Sequence, residues 1–307
     1  MFLINHRLRR SHDKLQDLLL RARLKVKPYY TYSVNNPKWL FMFLFSRFQV
    51  IRSHIQIFYP KAFIEDCSES IFEDLDVETV VQALQKDGLY LGIQLPPTII
   101  EEILAFTKRE PCYANLNPQL MFHIDSKEIW QEKYSSFFIV SDYVDPERHC
   151  CAIEKITQDP KLLKIAATYF NAKPVFTGSR LWWSFATNAN FQERLNFAQE
   201  LFHYDPIDYR SLKFFFYLTE VDASTGPHVC VRGSHKNKKI THQLTLFIGR
   251  SDRDISQYYQ QEDILTICGN VGFGFAEDPF CFHKGTPPQQ RDRLMLQIEY
   301  CLNNYHF

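Results

Sequence analysis

The hydrophobic period changes partway along the chain. In the first half, apolar positions recur every three or four residues, as on one face of a helix. Val80, Val81 and Leu84 predict a helix from Val77 to Lys86, stopped by Asp87-Gly88. Leu89 to Ile93 reads as a short strand. Pro96-Pro97 opens a second helix, Thr98 to Lys108, with Glu101 and Glu102 in its first turn, where the helix dipole favours them. The stripe Leu162, Leu163, Ile165, Ala166 predicts a third helix over 159–171. Beyond it the period shortens to two. Ser179 to Ala186, Leu212 to Thr219, His228 to Val231, Ile264 to Cys268, Gly272 to Ala276 and Arg293 to Tyr300 all read as strands. Turn residues at 222–226, 233–234, 269–270 and 287–288 separate them. Helices first and strands later predict an α+β fold, a helical layer supporting an antiparallel barrel or sandwich.

Composition adds limits. The 307 residues are 45% hydrophobic, 15% aromatic and 23% charged, which are globular values. Formal net charge is zero, so no global field attracts nucleic acid, and a nucleic-acid partner is not expected. The charge is uneven: residues 1–27 carry eight Lys and Arg against two Asp. They have the pattern of a basic amphipathic helix, expected to be a solvated helix packed on the main domain, with membrane-surface contact as the alternative. The longest apolar run, Trp39 to Phe45, is far short of the roughly 20 residues of a bilayer span, so no transmembrane segment is expected. There is no secretory pattern at the start. None of the eight cysteines forms a C-x-x-C pair, and reduced thiols in a cytoplasmic protein are the simpler expectation.

The candidate chemistry centres on His203-Tyr204-Asp205. In an extended segment residues i and i+2 point the same way, so an imidazole and a carboxylate converge. Two histidines and one carboxylate with open positions suit a non-haem iron(II) oxygenase, which leaves a third ligand to be found. His283 and His235 both qualify. His228 reads as a strand or turn residue, and His149-Cys150-Cys151 as structural, because adjacent ligands on a β-period diverge.

Three blocks give this pattern company. They are LQKDGLYLGIQLPPTIIEEILAF (84–106), FHYDPIDYRSLKFFFYLTEVDASTGPHVCVRGSHK (202–236) and FHKGTPPQQRDRLMLQIEY (282–300). In order and spacing they resemble the phytanoyl-CoA dioxygenase family over about residues 75–300. The resemblance implies a double-stranded β-helix (jelly-roll, cupin-like) barrel with supporting helices. It implies an iron(II)- and 2-oxoglutarate-dependent dioxygenase that hydroxylates a small molecule such as an acyl thioester, an amino acid or a secondary metabolite. On this match His203, Asp205 and His283 hold Fe(II). Arg293 binds the far carboxylate of 2-oxoglutarate, with Arg291 as its rival, and dioxygen is the second co-substrate. His235 then belongs to a structural turn.

Two departures from the family pattern stand out. Arg232 precedes the Gly-Ser-His turn where Pro is usual. Gly285 stands where a hydroxyl residue often assists 2-oxoglutarate, which leaves Thr286 as the candidate. The strand from Arg293 supports its part, because Arg293, Gln297 and Glu299 alternate with Leu294, Leu296, Ile298 and Tyr300. Trp183 and Tyr204 are candidates for the substrate wall; only one of Trp182 and Trp183 can face the cavity. The expected division is an extension over 1–60 and an oxygenase domain over 61–307. A non-catalytic binding protein on this fold, or a metal-dependent hydrolase or isomerase on a cupin-like barrel, are the competing functions.

Overall fold

A computed structural model describes residues 31–61, 69–195, 197, 200–244 and 249–305. The basic segment 1–27, with its solvated-helix and membrane-surface readings, lies outside the described residues. Eleven strands are described: β1 (Leu89–Gln94), β2 (Cys112–Ala114), β3 (Met121–Phe122), β4 (Val140–Asp142), β5 (Val175–Ser184), β6 (Ser211–Tyr217), β7 (His228–Val231), β8 (Ile264–Ile267), β9 (Phe273–Glu277), β10 (Phe282–Gly285) and β11 (Arg293–Cys301). An eight-stranded sheet runs β1-β9-β6-β11-β5-β4-β2-β3, and a three-stranded sheet runs β10-β7-β8. All the strand pairings are antiparallel. This is the α+β double-stranded β-helix expected from the sequence.

Strand alternation sets what each face of the large sheet does. On β11, Leu294, Leu296, Ile298 and Tyr300 are buried in the main core, together with Leu212, Phe214 and Phe216 of β6. The helices Val77–Asp87, Pro97–Arg109 and Pro160–Phe170 supply much of the rest of that core. The opposite face meets the small sheet, where Trp182, Phe215, Tyr217, Phe275 and Met295 pack with Cys230 and Ile267. Two apolar layers therefore clamp the large sheet, and the polar residues of its inner face can only line the space between sheets.

Local chemistry explains the element ends. Asp76 caps the first of these helices by accepting a hydrogen bond from the Thr79 amide at 2.9 Å. Gly88 ends it at φ 70°, and a Cβ there would collide with the His235 ring and the Cys281 sulfur. Residues 37–58, expected within an extension, form two helices and a 3₁₀ turn that pack on the barrel. Arg47 Nη1 donates to the Tyr204 hydroxyl at 2.8 Å, and Arg52 Nη2 to the His235 carbonyl at 2.5 Å. Among the described residues no helix is long and apolar enough to cross a membrane.

Candidate metal centre

β10 and the segment ahead of β6 bring the cluster together. His203 and His283 face each other in an antiparallel bridge, each amide donating to the other's carbonyl, at 2.9 and 2.8 Å. Opposed residues project side chains to the same face, and the two rings sit 4.4 Å apart, edge to face. Asp205, two residues on, is fixed by its amide donating to the Pro279 carbonyl at 2.8 Å. One ligand atom from each of His203, Asp205 and His283 lies within 4.8 Å of the others, and this is the one such trio among the described residues.

The ring orientations suit a metal. His203 Nδ1 is 2.9 Å from the Leu201 carbonyl, and His283 Nδ1 is 3.0 Å from that of Cys281. Each ring is thus anchored by the carbonyl two residues earlier, which can only accept. Nδ1 carries the hydrogen and, in the neutral ring, Nε2 turns a lone pair inward. The two Nε2 atoms approach Asp205 at 3.7 and 3.5 Å. His203 Nε2 is buried and has no hydrogen-bond partner. A buried, unsatisfied acceptor is costly, and a divalent cation would satisfy all three side chains.

Electrostatics around the trio are strongly perturbed. Burial, reinforced by His283, pushes the His203 imidazolium down to about 4. Burial also opposes charge on His283, but Glu277 and Asp205 override it and raise its pKa to about 10. Asp205 is held well below the usual carboxylate range despite its burial, chiefly by Lys213. Glu277, at the end of β9, lies behind the cluster: Oε1 is 3.0 Å from His283 Nδ1 and Oε2 is 2.8 Å from His228 Nε2. The sequence reading missed Glu277 and Lys213, while His228, read as a strand or turn residue, does lie on β7. The available signal was a lone charge closing or interrupting an apolar strand.

A cavity of about 280 Å³ extends from the trio. Asp205, His283, Arg293 and Thr286 line it, with an apolar part from Leu116, Ile139, Val140 and Phe197. Cross-strand register fixes its floor: Arg293 pairs with Ser184, Met295 with Trp182 and Gln297 with Arg180, and all six face the cavity. Arg293 is only 5% exposed. It donates to the Gly226 carbonyl and, at 2.8 Å, to Ser184 Oγ; its Nε has no partner. No carboxylate among the described residues pairs with it, and burial lowers its pKa. Arg291, by contrast, is on the surface, bonded to Glu220 and Asp222 at 2.9 and 2.8 Å.

Both wall candidates are corrected. Trp183 turns to the main core, stacks near Phe185 and donates to the Tyr143 hydroxyl at 3.2 Å. Trp182 is the residue that faces the cavity, because it lies opposite Met295. Tyr204 points away from its two neighbours' cluster, as an i+1 residue must, and donates to the Gln243 carbonyl at 2.9 Å. Thr286 does line the cavity, but its hydroxyl hydrogen is committed to the Pro227 carbonyl at 2.6 Å. Ser184 Oγ accepts from Arg293, which leaves its own hydrogen free for a ligand. His235 lies outside the trio, 3.7 Å from the Cys281 sulfur. The His149–Cys151 stretch forms no metal cluster among the described residues.

Fold and site together define a double-stranded β-helix with a two-histidine, one-carboxylate cluster beside a cavity. No family model matches the chain, and no curated protein matches it in sequence. Solved structures do share the fold. One is EctD from S. alaskensis with 2-oxoglutarate and 5-hydroxyectoine, at 14% identity and TM-score 0.52, covering 79% of this chain and 86% of that one. Another is the non-heme alpha ketoglutarate dependent epimerase SnoN from nogalamycin biosynthesis, at 13% identity and TM-score 0.51, covering 73% and 82%. SnoN in complex with Fe3+, alpha ketoglutarate and nogalamycin RO is similar at 12% identity and TM-score 0.50.

Proposed function

We propose that this protein is an iron(II)- and 2-oxoglutarate-dependent oxygenase that oxidises a C–H bond of a small molecule. His203, Asp205 and His283 would hold the iron. Arg293 and Ser184 would receive the far carboxylate of 2-oxoglutarate, with Thr286 alongside. The observation that carries the reading is Arg293: a guanidinium buried in the wall of the cavity that holds the cluster, without a carboxylate partner. A buried cation of this kind calls for an anion, and the guanidinium fork fits a carboxylate. SnoN and EctD, which share the fold, are described with alpha ketoglutarate or 2-oxoglutarate bound.

When bound, iron would activate dioxygen as the oxidant, with 2-oxoglutarate giving up two electrons as it leaves as carbon dioxide and succinate and the substrate C–H bond giving up the other two. The chain's own residues do the rest. The Leu201 and Cys281 carbonyls hold Nδ1 of His203 and His283, so that in the neutral rings both Nε2 lone pairs would turn to the metal. Lys213 holds one Asp205 oxygen, which fixes how the carboxylate turns. Trp182, Phe215 and Met295 give the cavity an apolar floor that excludes water around the reacting centre. Asp205 would fill the ligand position that a halide needs, so the reading is C–H oxidation and not halogenation.

The test is turnover. Iron-loaded protein with 2-oxoglutarate is screened against acyl thioesters, amino acids and secondary metabolites, reading oxygen uptake and succinate. Succinate formation that disappears in Asp205→Ala supports the proposal. A hydrolysed product formed without oxygen uptake would replace it with a metal hydrolase.

A further inference from the structure

A second cavity, of about 550 Å³, shares no lining residue with the one beside the metal cluster. It lies where the helix Gln49–Ile55, the turn after β7, the segment before β6 and the end of the helix Pro160–Phe170 come together. Its charged lining residues are Arg52, Arg210, Lys236 and Asp278, joined by His235. The neutral ones include Gln49, Ser53, Gln85 and Asn171, so the walls are polar throughout.

Asp278 does not neutralise these cations fully. Its Oδ2 accepts from the Tyr169 hydroxyl at 2.5 Å and its Oδ1 from the Phe280 amide at 2.9 Å. Arg52 and Lys236 thus face one lining carboxylate that is already engaged. Arg52 is 6% exposed and makes no ion pair among the described residues. One of its terminal nitrogens serves the His235 carbonyl at 2.5 Å, and its guanidinium lies 3.9 Å over the Phe280 ring. Its Nε is buried without a partner, and so is His235 Nε2. His235 Nδ1 sits 3.7 Å from the Cys281 sulfur, which also donates to the Asp87 and Gly88 carbonyls at 3.8 and 3.7 Å; the tautomer with its hydrogen on Nε2 would give the ring a free donor. Lys236 is exposed at the edge, its ammonium on the Gln85 carbonyl.

We propose that this cavity is a second ligand site, for a small molecule that carries a phosphate group. Arg52 shares the lining carboxylate, Asp278, with the Tyr169 hydroxyl and the Phe280 amide, and a bound dianion would balance Arg52 and Lys236 more fully. The donors differ in kind and come from separate elements: a guanidinium fork, an imidazole and an ammonium. That arrangement fits a tetrahedral dianion better than a planar, singly charged carboxylate. The polar neutral walls suit a hydroxylated remainder.

The test uses the full chain, loaded with iron(II) and saturated with 2-oxoglutarate without oxygen, so that the metal cavity and Arg293 are occupied. Inorganic phosphate is titrated by calorimetry, with acetate as the comparison at matched ionic strength. The expected result is saturable one-site phosphate binding, with acetate much weaker. Arg52→Gln weakens it by about tenfold or more, and Lys236→Gln by several-fold, with 2-oxoglutarate affinity unchanged in both. Lys236 is exposed, so its variant reports even where Arg52→Gln fails to fold. Absence of saturable binding overturns the proposal. So does binding indifferent to both substitutions, binding lost in Arg293→Ala, or acetate that binds as tightly as phosphate.

Discussion

The Lys213 ammonium stands 2.6 Å from Asp205 Oδ2, and it also reaches Glu299 Oε2 at 3.6 Å. Lys213 therefore does in the metal-free protein what a cation must do there, which is to balance a buried carboxylate. Burial opposes its charge, but Asp205 and Glu299 outweigh that and raise its pKa.

Lys213→Met should cost a few kcal/mol without metal, because it strands Asp205 beside an apolar wall. A divalent metal then replaces the missing cation. The rise in melting temperature on adding metal should be larger in the variant than in the unaltered protein, by several degrees. An equal or smaller rise would mean that Asp205 does not turn to the metal.

Ser184→Ala should weaken 2-oxoglutarate binding by about ten- to a hundredfold, the worth of one hydrogen bond to a charged group. Thr286→Val should change it by about twofold or less, because the Thr286 hydrogen already serves Pro227. Calorimetry on both variants decides between them. A larger loss in Thr286→Val would return the hydroxyl role to that residue.

Asp208 gives a pH signature remote from the metal. Burial pushes its carboxyl up to about 6, although the amides of Tyr209 and Asn303 donate to it, each at 2.6 Å. The folded pKa exceeds the unfolded one. Its contribution is therefore fully favourable below the unfolded value and is lost as pH rises through about 6. Asp208→Asn does not titrate. The stability of this variant relative to the unaltered protein should rise by about 2 kcal/mol between pH 4.5 and 7.5, measured by urea unfolding. A pH-independent difference would contradict the assignment.

Much of this architecture was legible in the sequence, because β5, β6 and β11 are long enough to show their period, whereas the four-residue β10 that carries His283 was not read as a strand. β11 alternates cleanly, and Arg293 and Gln297 of its polar set face the cavity while Leu294, Leu296 and Ile298 enter the core. β2, β3 and β4, of two or three residues each, are too short to show a period and were missed. Alternation said that Trp182 and Trp183 part company, but the phase comes from pairing: Met295 lies opposite Trp182. The same holds for Ser184, Lys213 and Glu277. Each is a polar residue in or ending a strand, and its partner is set by register across strands or by a turn of the chain. The match that suggested His203, Asp205 and His283 named three residues that the fold brings together, whereas Thr286 was placed without knowing what its hydroxyl already held.

The most direct measurement is 2-oxoglutarate binding to iron(II)-loaded protein without oxygen, by calorimetry and visible absorption, in the unaltered chain and in Arg293→Ala and Arg291→Ala. One equivalent should bind with a weak visible charge-transfer band. Arg293→Ala should lose on the order of 2–5 kcal/mol, the cost of breaking a buried charge pair. Arg291→Ala should bind as the unaltered protein does, since Arg291 is on the surface with Glu220 and Asp222. No binding and no band in the unaltered protein, or equal losses in both variants, would contradict the oxygenase reading at its centre.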